Sequence, residues 1–215
     1  MSVQYHPERQ GAPGDNGDVE TALPLAFTAS WAAGINPYLL VVILGVAGRL
    51  TDWDIPVGFE RTDVLIVFAV LAVVDTIADK IMWLDTGWDA VNTVIRPVAG
   101  AVVATLIAAP TVDLPTAAVA AGGGAVALVT HLAKATTRLA VNTSPEPASN
   151  VVVSVVEDVL VALTIAVAIV WPWVAAAMAL TFMLVGLAVA IALIGTARRV
   201  LRSRRRLGAR APDSH

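Results

Sequence analysis

The sequence predicts an all-α protein: a polytopic membrane bundle of about six transmembrane helices. Three observations carry that expectation. Thr21 to Gly48 and Val159 to Ala197 contain no charged residue, and about 20 apolar residues suffice for a helix to cross a hydrocarbon core roughly 30 Å thick. Charged residues make up only 14% of the chain and its mean hydropathy is +0.76, whereas soluble domains carry roughly 25% charge. Apolar/polar alternation of the kind a membrane barrel requires is absent, and helices are the other backbone that satisfies its own hydrogen bonds in lipid.

The elements follow in order. Residues 1–22 are polar, lack the basic start and cleavage site of a signal peptide, and are expected to form a disordered cytoplasmic tail. The first hydrophobic stretch, about Leu23 to Leu50, is interrupted at Gly34-Ile35-Asn36-Pro37. Proline removes a donor and disfavours helix at the preceding residue, while Asn36 can cap a new helix with Pro37 in its first turn. The stretch reads either as two half-helices meeting partway through the bilayer, as in many transporters, or as one helix with a proline kink.

A polar loop from Thr51 to Asp63 precedes an apolar helix that continues through Asp75, Asp79 and Lys80, with the two acids four residues apart and so on one face. Thr86-Gly87-Trp88-Asp89 matches a capping box, which would start a third helix running through Arg96-Pro97 towards Val112. Leu114 to Val141 is the fourth. Its Gly122-Gly123-Gly124 suits close backbone approach, and His131, Lys134 and Arg138 fall on one stripe. Ser144-Pro145-Glu146-Pro147 reads as a loop and helix start, and the fifth helix carries Glu157 and Asp158 among valines. Trp171-Pro172-Trp173 is a turn suited to the membrane interface. Val174 to Ala197 forms the sixth and most lipid-exposed helix. The membrane domain is thus 23–197.

Val91-Asn92-Thr93 before Pro97 echoes Val141-Asn142-Thr143 before Pro147. Either helices two and three repeat as four and five, or the match is coincidence. Residues 198–215 hold seven of the fourteen basic residues, Arg198, Arg199, Arg202, Arg204, Arg205, Arg206 and Arg210. By the positive-inside rule this basic tail is expected to lie in the cytoplasm, and six spans would return the N-terminus to the same side. No nucleic-acid partner is expected of it.

Ten ionisable residues lie within or at the ends of spans: Asp75, Asp79, Lys80, Asp89, Arg96, His131, Lys134, Arg138, Glu157 and Asp158. Each central Asp, Lys or Arg costs about 2.5–3.5 kcal/mol to insert, so near-balanced signs imply mutual pairing around a polar interior. With Asn36, these are the candidate pathway residues. Two readings stand: a static ion-pair network that holds the bundle, or a pathway in which a histidine near carboxylates, or one of the adjacent acids Glu157 and Asp158, carries a proton. There is no cysteine, and His131 is the single histidine outside the tails. That excludes thiolate chemistry and multi-histidine metal sites, leaving open only an all-carboxylate cation site from Asp75, Asp79, Glu157 and Asp158. No catalytic residue, metal or cofactor is assigned.

Several of these motifs together resemble a known family. Gly34-Ile35-Asn36-Pro37-Tyr38, Ala78-Asp79-Lys80, Trp88-Asp89, Arg96-Pro97, Lys134-Ala135, Arg138, Asn142, the Ser-Pro-Glu-Pro run and Glu157-Asp158 are similar to those of an uncharacterised bacterial integral-membrane family, the domain-of-unknown-function family 4126. The resemblance covers roughly Ala29 to Val170. The chain departs from it at Ala33, where a serine is frequent, and at Met82, where a proline is frequent. The resemblance implies the architecture and brings no activity.

The leading functional expectation is a small inner-membrane transporter or channel-like protein. In it, Arg96, His131 and Lys134 would attract a small anionic solute, and Asp79, Glu157 and Asp158 would carry a coupling proton or cation. The alternatives are a membrane scaffold or partner subunit, and an enzyme acting on a lipid-linked anion with His131, Asp158 and Ser144 as its groups. The expected partners are the lipid bilayer, an unidentified solute or ion, and further copies of the chain, because six helices enclose little space.

Overall fold

The computed structural model describes residues 16–51, 53, 55–142 and 147–208. Residues 1–15, Asp52, Asp54, Ser144-Pro145-Glu146 and Arg210 lie outside the described residues. Those described form seven helices and no strand: α1 (Asn16–Ile35), α2 (Pro37–Leu50), α3 (Thr62–Ala78), α4 (Met82–Ala108), α5 (Thr116–Asn142), α6 (Pro147–Val170) and α7 (Pro172–Gly208). Four of them, α4 to α7, are long and apolar enough to cross a membrane, and α2 is a shorter apolar helix.

The expected break of the first hydrophobic stretch is present. Asn36 is extended (φ −150°, ψ 90°) between α1 and α2, and its side chain caps α2 by accepting from Leu39 N at 2.9 Å. One extended residue between two helices turns the chain. Ala22 and Ala26 of α1 pack with Ala104 and Ala108 of α4, and Tyr38, just past the break, bonds Asn92 nearer the start of α4. The chain then comes back, because Leu44 of α2 shares a cavity with Thr21 and Leu25 of α1 and with Leu106 and Ile107 of α4. α1 and α2 are therefore a hairpin that enters and leaves the bundle at one end, with Asn36 at its tip.

Small residues decide how the remaining helices meet. α4 and α5 share the most extensive contact, and α1 packs on both. A Cβ on Gly123 would lie 2.6 Å from Gly100 O, one on Gly100 2.8 Å from Gly123 O, and one on Gly34 2.5 Å from Ala127 O. Only glycine lets these backbones close to that distance. α7 runs alongside α5, with Phe182 stacked against Trp31 of α1 (centroids 5.8 Å apart), and is the least buried of the long helices. α3 packs on α2 and lightly on α4, leaving Ile66, Val70, Val73 and Ile77 outward.

Three boundaries differ from expectation. α1 begins at Asn16, inside the segment expected to be a polar tail. α4 begins at Met82, so Thr86-Gly87-Trp88-Asp89 lies within a helix; the same Thr-x-x-Asp spacing also serves a helix interior, where it turns Asp89 inward. α7 continues through Arg198, Arg199 and Arg202 to Gly208, since arginine is a good helix former once the helix has left the apolar layer. The echoed segments occupy different places, with Pro97 inside α4 and Pro147 opening α6, so they mark no equivalent structural units. The hairpin also changes the topology. α1 starts at the end of the bundle where α2 and α4 finish, and α7 runs towards the opposite end, whereas six simple spans would have brought both termini together.

The glycine contacts yield a direct test. Gly100→Val is expected to lower stability in detergent by about 1–3 kcal/mol or more. Gly122→Ala, which meets nothing within 4 Å, is expected to leave the unfolding midpoint unchanged or raise it. Equal midpoints for the two variants would remove the close-approach argument.

Candidate functional site

The hairpin tip sets up the site through its own backbone. In a continuous helix Leu39 N would donate to Ile35 O, but here it is taken by the Asn36 side chain, so the carbonyl of Ile35 loses its helical partner. Lys134 of α5 fills the vacancy, donating from Nζ to Ile35 O at 3.0 Å. The same ammonium donates to Asp79 Oδ2 at 2.9 Å and lies 3.6 Å from Glu157 Oε2. One turn further along α5, Arg138 donates to Asp79 Oδ2 at 3.0 Å, to the Asp79 carbonyl at 2.8 Å and to Glu157 Oε2 at 2.7 Å. Asp79 follows the last residue of α3, where the chain must turn and its carbonyl is free to accept. The quartet Asp79, Lys134, Arg138 and Glu157 thus joins α3, α5 and α6 to the hairpin, with equal numbers of opposite charges.

A second cluster is built on α4. Arg96, with its side chain 0% exposed, donates to Asp75 Oδ1 at 3.3 Å and lies 3.6 Å from Asp89 Oδ1. Asp75 Oδ1 also accepts from Trp88 Nε1 at 2.6 Å and from Asn92 Nδ2 at 3.4 Å. Asn92 in turn accepts from the hydroxyl of Tyr38 at 3.2 Å. Arg96 NH1 stands 3.0 Å from His131 Nδ1, and His131 Nε2 stands 3.0 Å from Thr93 Oγ1, whose own proton goes to the Asp89 carbonyl at 2.9 Å. A guanidinium can only donate and this threonine oxygen is left to accept, so the pattern assigns His131 as the neutral tautomer with its proton on Nε2.

Of the predicted residues, Asp75, Asp79, Asp89, Arg96, His131, Lys134, Arg138 and Glu157 therefore converge in these two clusters. Asn36 and Asp158 pair with each other, Asn36 Nδ2 donating to Asp158 Oδ1 at 3.0 Å. Lys80 does not join; it folds back to donate to Thr76 O at 3.0 Å. Two expectations change. His131 touches Arg96 and Thr93 rather than a carboxylate, because Arg96 occupies the space between it and the acids. His131 and Asp158 have no contact that would pair them as acid and base, and Ser144 lies outside the described residues. No three His, Asp or Glu side chains converge to hold a metal ion among the described residues, since the acids face basic partners instead of one another. Sequence reasoning missed Trp88, Asn92, Thr93 and Tyr38. Asn92 and Thr93 had a signal, since Asp89, Asn92, Thr93 and Arg96 form one polar stripe at helical spacing.

Two cavities approach this centre or its ends. One of about 210 Å³ between α4 and α5 is lined by Thr86, Asp89, Thr93 and Arg138, so it reaches the charges from the side of the α3–α4 turn. Another of about 450 Å³ lies between the hairpin arms at the opposite end, around Thr21, Leu44, Trp53 and Thr111.

A helical bundle with outward apolar faces and ion pairs sealed inside defines a polytopic membrane protein. The chain belongs to the family described as a domain of unknown function, DUF4126, whose model matches residues 23–192. No curated protein and no solved structure matches it.

Removing one partner of a sealed pair leaves a bare charge. Lys134→Met is therefore expected to destabilise the purified protein by about 3–5 kcal/mol, whereas Lys80→Met changes the unfolding midpoint little. The pairing fails as an account if both substitutions shift the midpoint alike.

Proposed function

We propose that this is a small proton-coupled transporter or proton-conducting protein of the bacterial cytoplasmic membrane, in which Asp158 gains and loses the proton. One observation carries the reading. Of the five buried or half-buried acids that the described residues place in or at the end of the apolar helices, Asp75, Asp79, Asp89 and Glu157 each stand within ion-pair distance of Arg96, Lys134 or Arg138, while Asp158 has, among the described residues, only the neutral amide of Asn36 within such reach. A carboxyl group that forms no ion pair can take up a proton without breaking one, and can give it up when solvent or a cation arrives. The Asn36 amide serves either state, because carboxylate and carboxylic acid both offer an acceptor oxygen.

Its position supports the reading further. Asp158 of α6 bonds the tip of the α1–α2 hairpin, and discontinuous helices mark the binding sites of many transporters. The cations weigh against an anionic solute held by Arg96, Lys134 or Arg138, since each already holds two or more acceptors of the protein. The basic end of α7 would face the cytoplasm, the start of α1 the opposite side, and lipid the exposed valines of α3 and α7. A static scaffold is the second reading, favoured by the closed, neutral quartet around Asp79.

Proton entry into liposomes under an imposed potential, followed with an entrapped pH dye, separates the two. Wild-type protein and Arg61→Gln, altered in an exposed loop pair, are expected to conduct alike. Asp158→Asn is expected to fall to the rate of empty vesicles while keeping its unfolding midpoint. Wild-type flux no greater than that of empty vesicles would leave the scaffold.

A further inference from the structure

A third cavity, of about 240 Å³, lies beside the quartet between α1, α5, α6 and α7. Its walls are apolar and partly aromatic, with Trp31, Phe182 and Met183 along it and Val185 and Val189 at its edge. Val185 is 57% and Val189 41% exposed on the outer face of α7, so the mouth opens sideways, where a spanning helix meets lipid, and not towards either end of the bundle. Whatever enters comes from the bilayer.

The polar atoms of the cavity are chiefly acceptors. Glu157 Oε2 is held by Arg138 and Lys134, but its Oε1 has no hydrogen-bond partner among the described residues, and Glu157 is the one quartet member with appreciable exposure, 17% of its side chain. Thr130 and Thr137 spend their protons on the carbonyls of Val126 and Ala133 and offer only lone pairs. Lys134 also lines the cavity, yet it already donates to Ile35 O and Asp79 Oδ2 and pairs with Glu157 Oε2 at 3.6 Å. The cavity therefore presents acceptors and one neutral donor, the indole N–H of Trp31, which has no acceptor among the described residues. An anionic head would meet Glu157 with only that neutral N–H to hold it, whereas a hydroxyl can donate to the carboxylate and accept from the indole. A cationic head would add a third positive charge beside a quartet that is already neutral, at the cost of leaving water.

We infer that this cavity is a binding site for an uncharged amphiphile drawn from the lipid phase, a long-chain alcohol whose hydroxyl donates to Glu157 Oε1 while its chain leaves between α5 and α7. Whole-ligand pockets run to roughly 300–1,000 Å³, so this one takes the head and the first part of the chain, and the rest remains in lipid. The site would bind whether or not Asp158 moves protons. Gly186 permits the occupant: it lines the cavity, and a Cβ there would meet only Ala133 Cβ at 3.6 Å, an ordinary contact. A larger side chain at 186 would fill the cavity without forcing the helices apart.

Photolabelling of the whole protein in nanodiscs with diazirine-tagged dodecanol tests this. Labelling is expected on the α7 segment around Met183 to Val189 and on α5 around Thr130 to Thr137, to saturate with untagged dodecanol, and to be lost in Gly186→Leu and in Val189→Phe, a change at the exposed mouth. The tagged fatty acid and alkyltrimethylammonium of equal chain length are expected to label the outer face only, without saturation. Preferential, saturable labelling by either charged probe would overturn the assignment, as would equal labelling by all three that both variants leave intact.

Discussion

Lys134 is the side chain on which the rest of the structure depends. A buried ammonium must be answered by acceptors and counter-charge, and this one is held by three separate segments: hydrogen bonds to the end of α1 and the end of α3, and an ion pair with the middle of α6. Lipid supplies no substitute for any of them. Where α5 places that nitrogen, the hairpin tip, the α3 terminus and Glu157 must follow. Arg138 repeats the constraint one turn later and fixes the rotation of α5, because two cations on one stripe cannot both face inward at any other angle.

The helix break and the charge centre are one device. A continuous α1–α2 helix would satisfy its own carbonyls and would run on past the acids. The Asn36 cap takes the N–H of Leu39 and so frees the carbonyl of Ile35, the break at Asn36-Pro37 turns the chain back, and the side chain of Asn36 reaches Asp158. Buried ion pairs add little net stability but select which surfaces meet; the glycine contacts of α1, α4 and α5 supply the packing. The two roles are divided between the halves of the bundle: small residues towards one end, ion pairs towards the other.

Much of this was legible in the sequence, for physical reasons that can be named. Charges stranded in apolar runs announce pairing because lipid penalises the alternative, and eight of the ten candidates do converge on the two clusters. Asn-Pro inside an apolar stretch announced the break. Its direction was not legible, since one extended residue can kink a helix or reverse it, and only contacts with α4 decide. Nor could sequence show that His131 faces a guanidinium, or that Lys134 binds a main-chain oxygen, because a backbone acceptor carries no residue signature. Thr86 misled because its spacing to Asp89 serves a helix start and a helix interior alike.

The order of the ion pairs along the chain bears on how the protein is made. Asp79 meets Lys134 and Arg138 across 55 and 59 residues, so α3 is synthesised well before the side chains that neutralise it. Asp75 meets Arg96 as soon as α4 follows, but until α5 emerges the carboxylate of Asp79 at the end of the 17-residue α3 has neither of its cations, and α3 packs lightly on its successor. It must wait beside the insertion machinery, or enter with that carboxyl protonated, and settle only when α5 arrives. Biogenesis of this bundle is thus a retention problem, in which a late helix releases an early one.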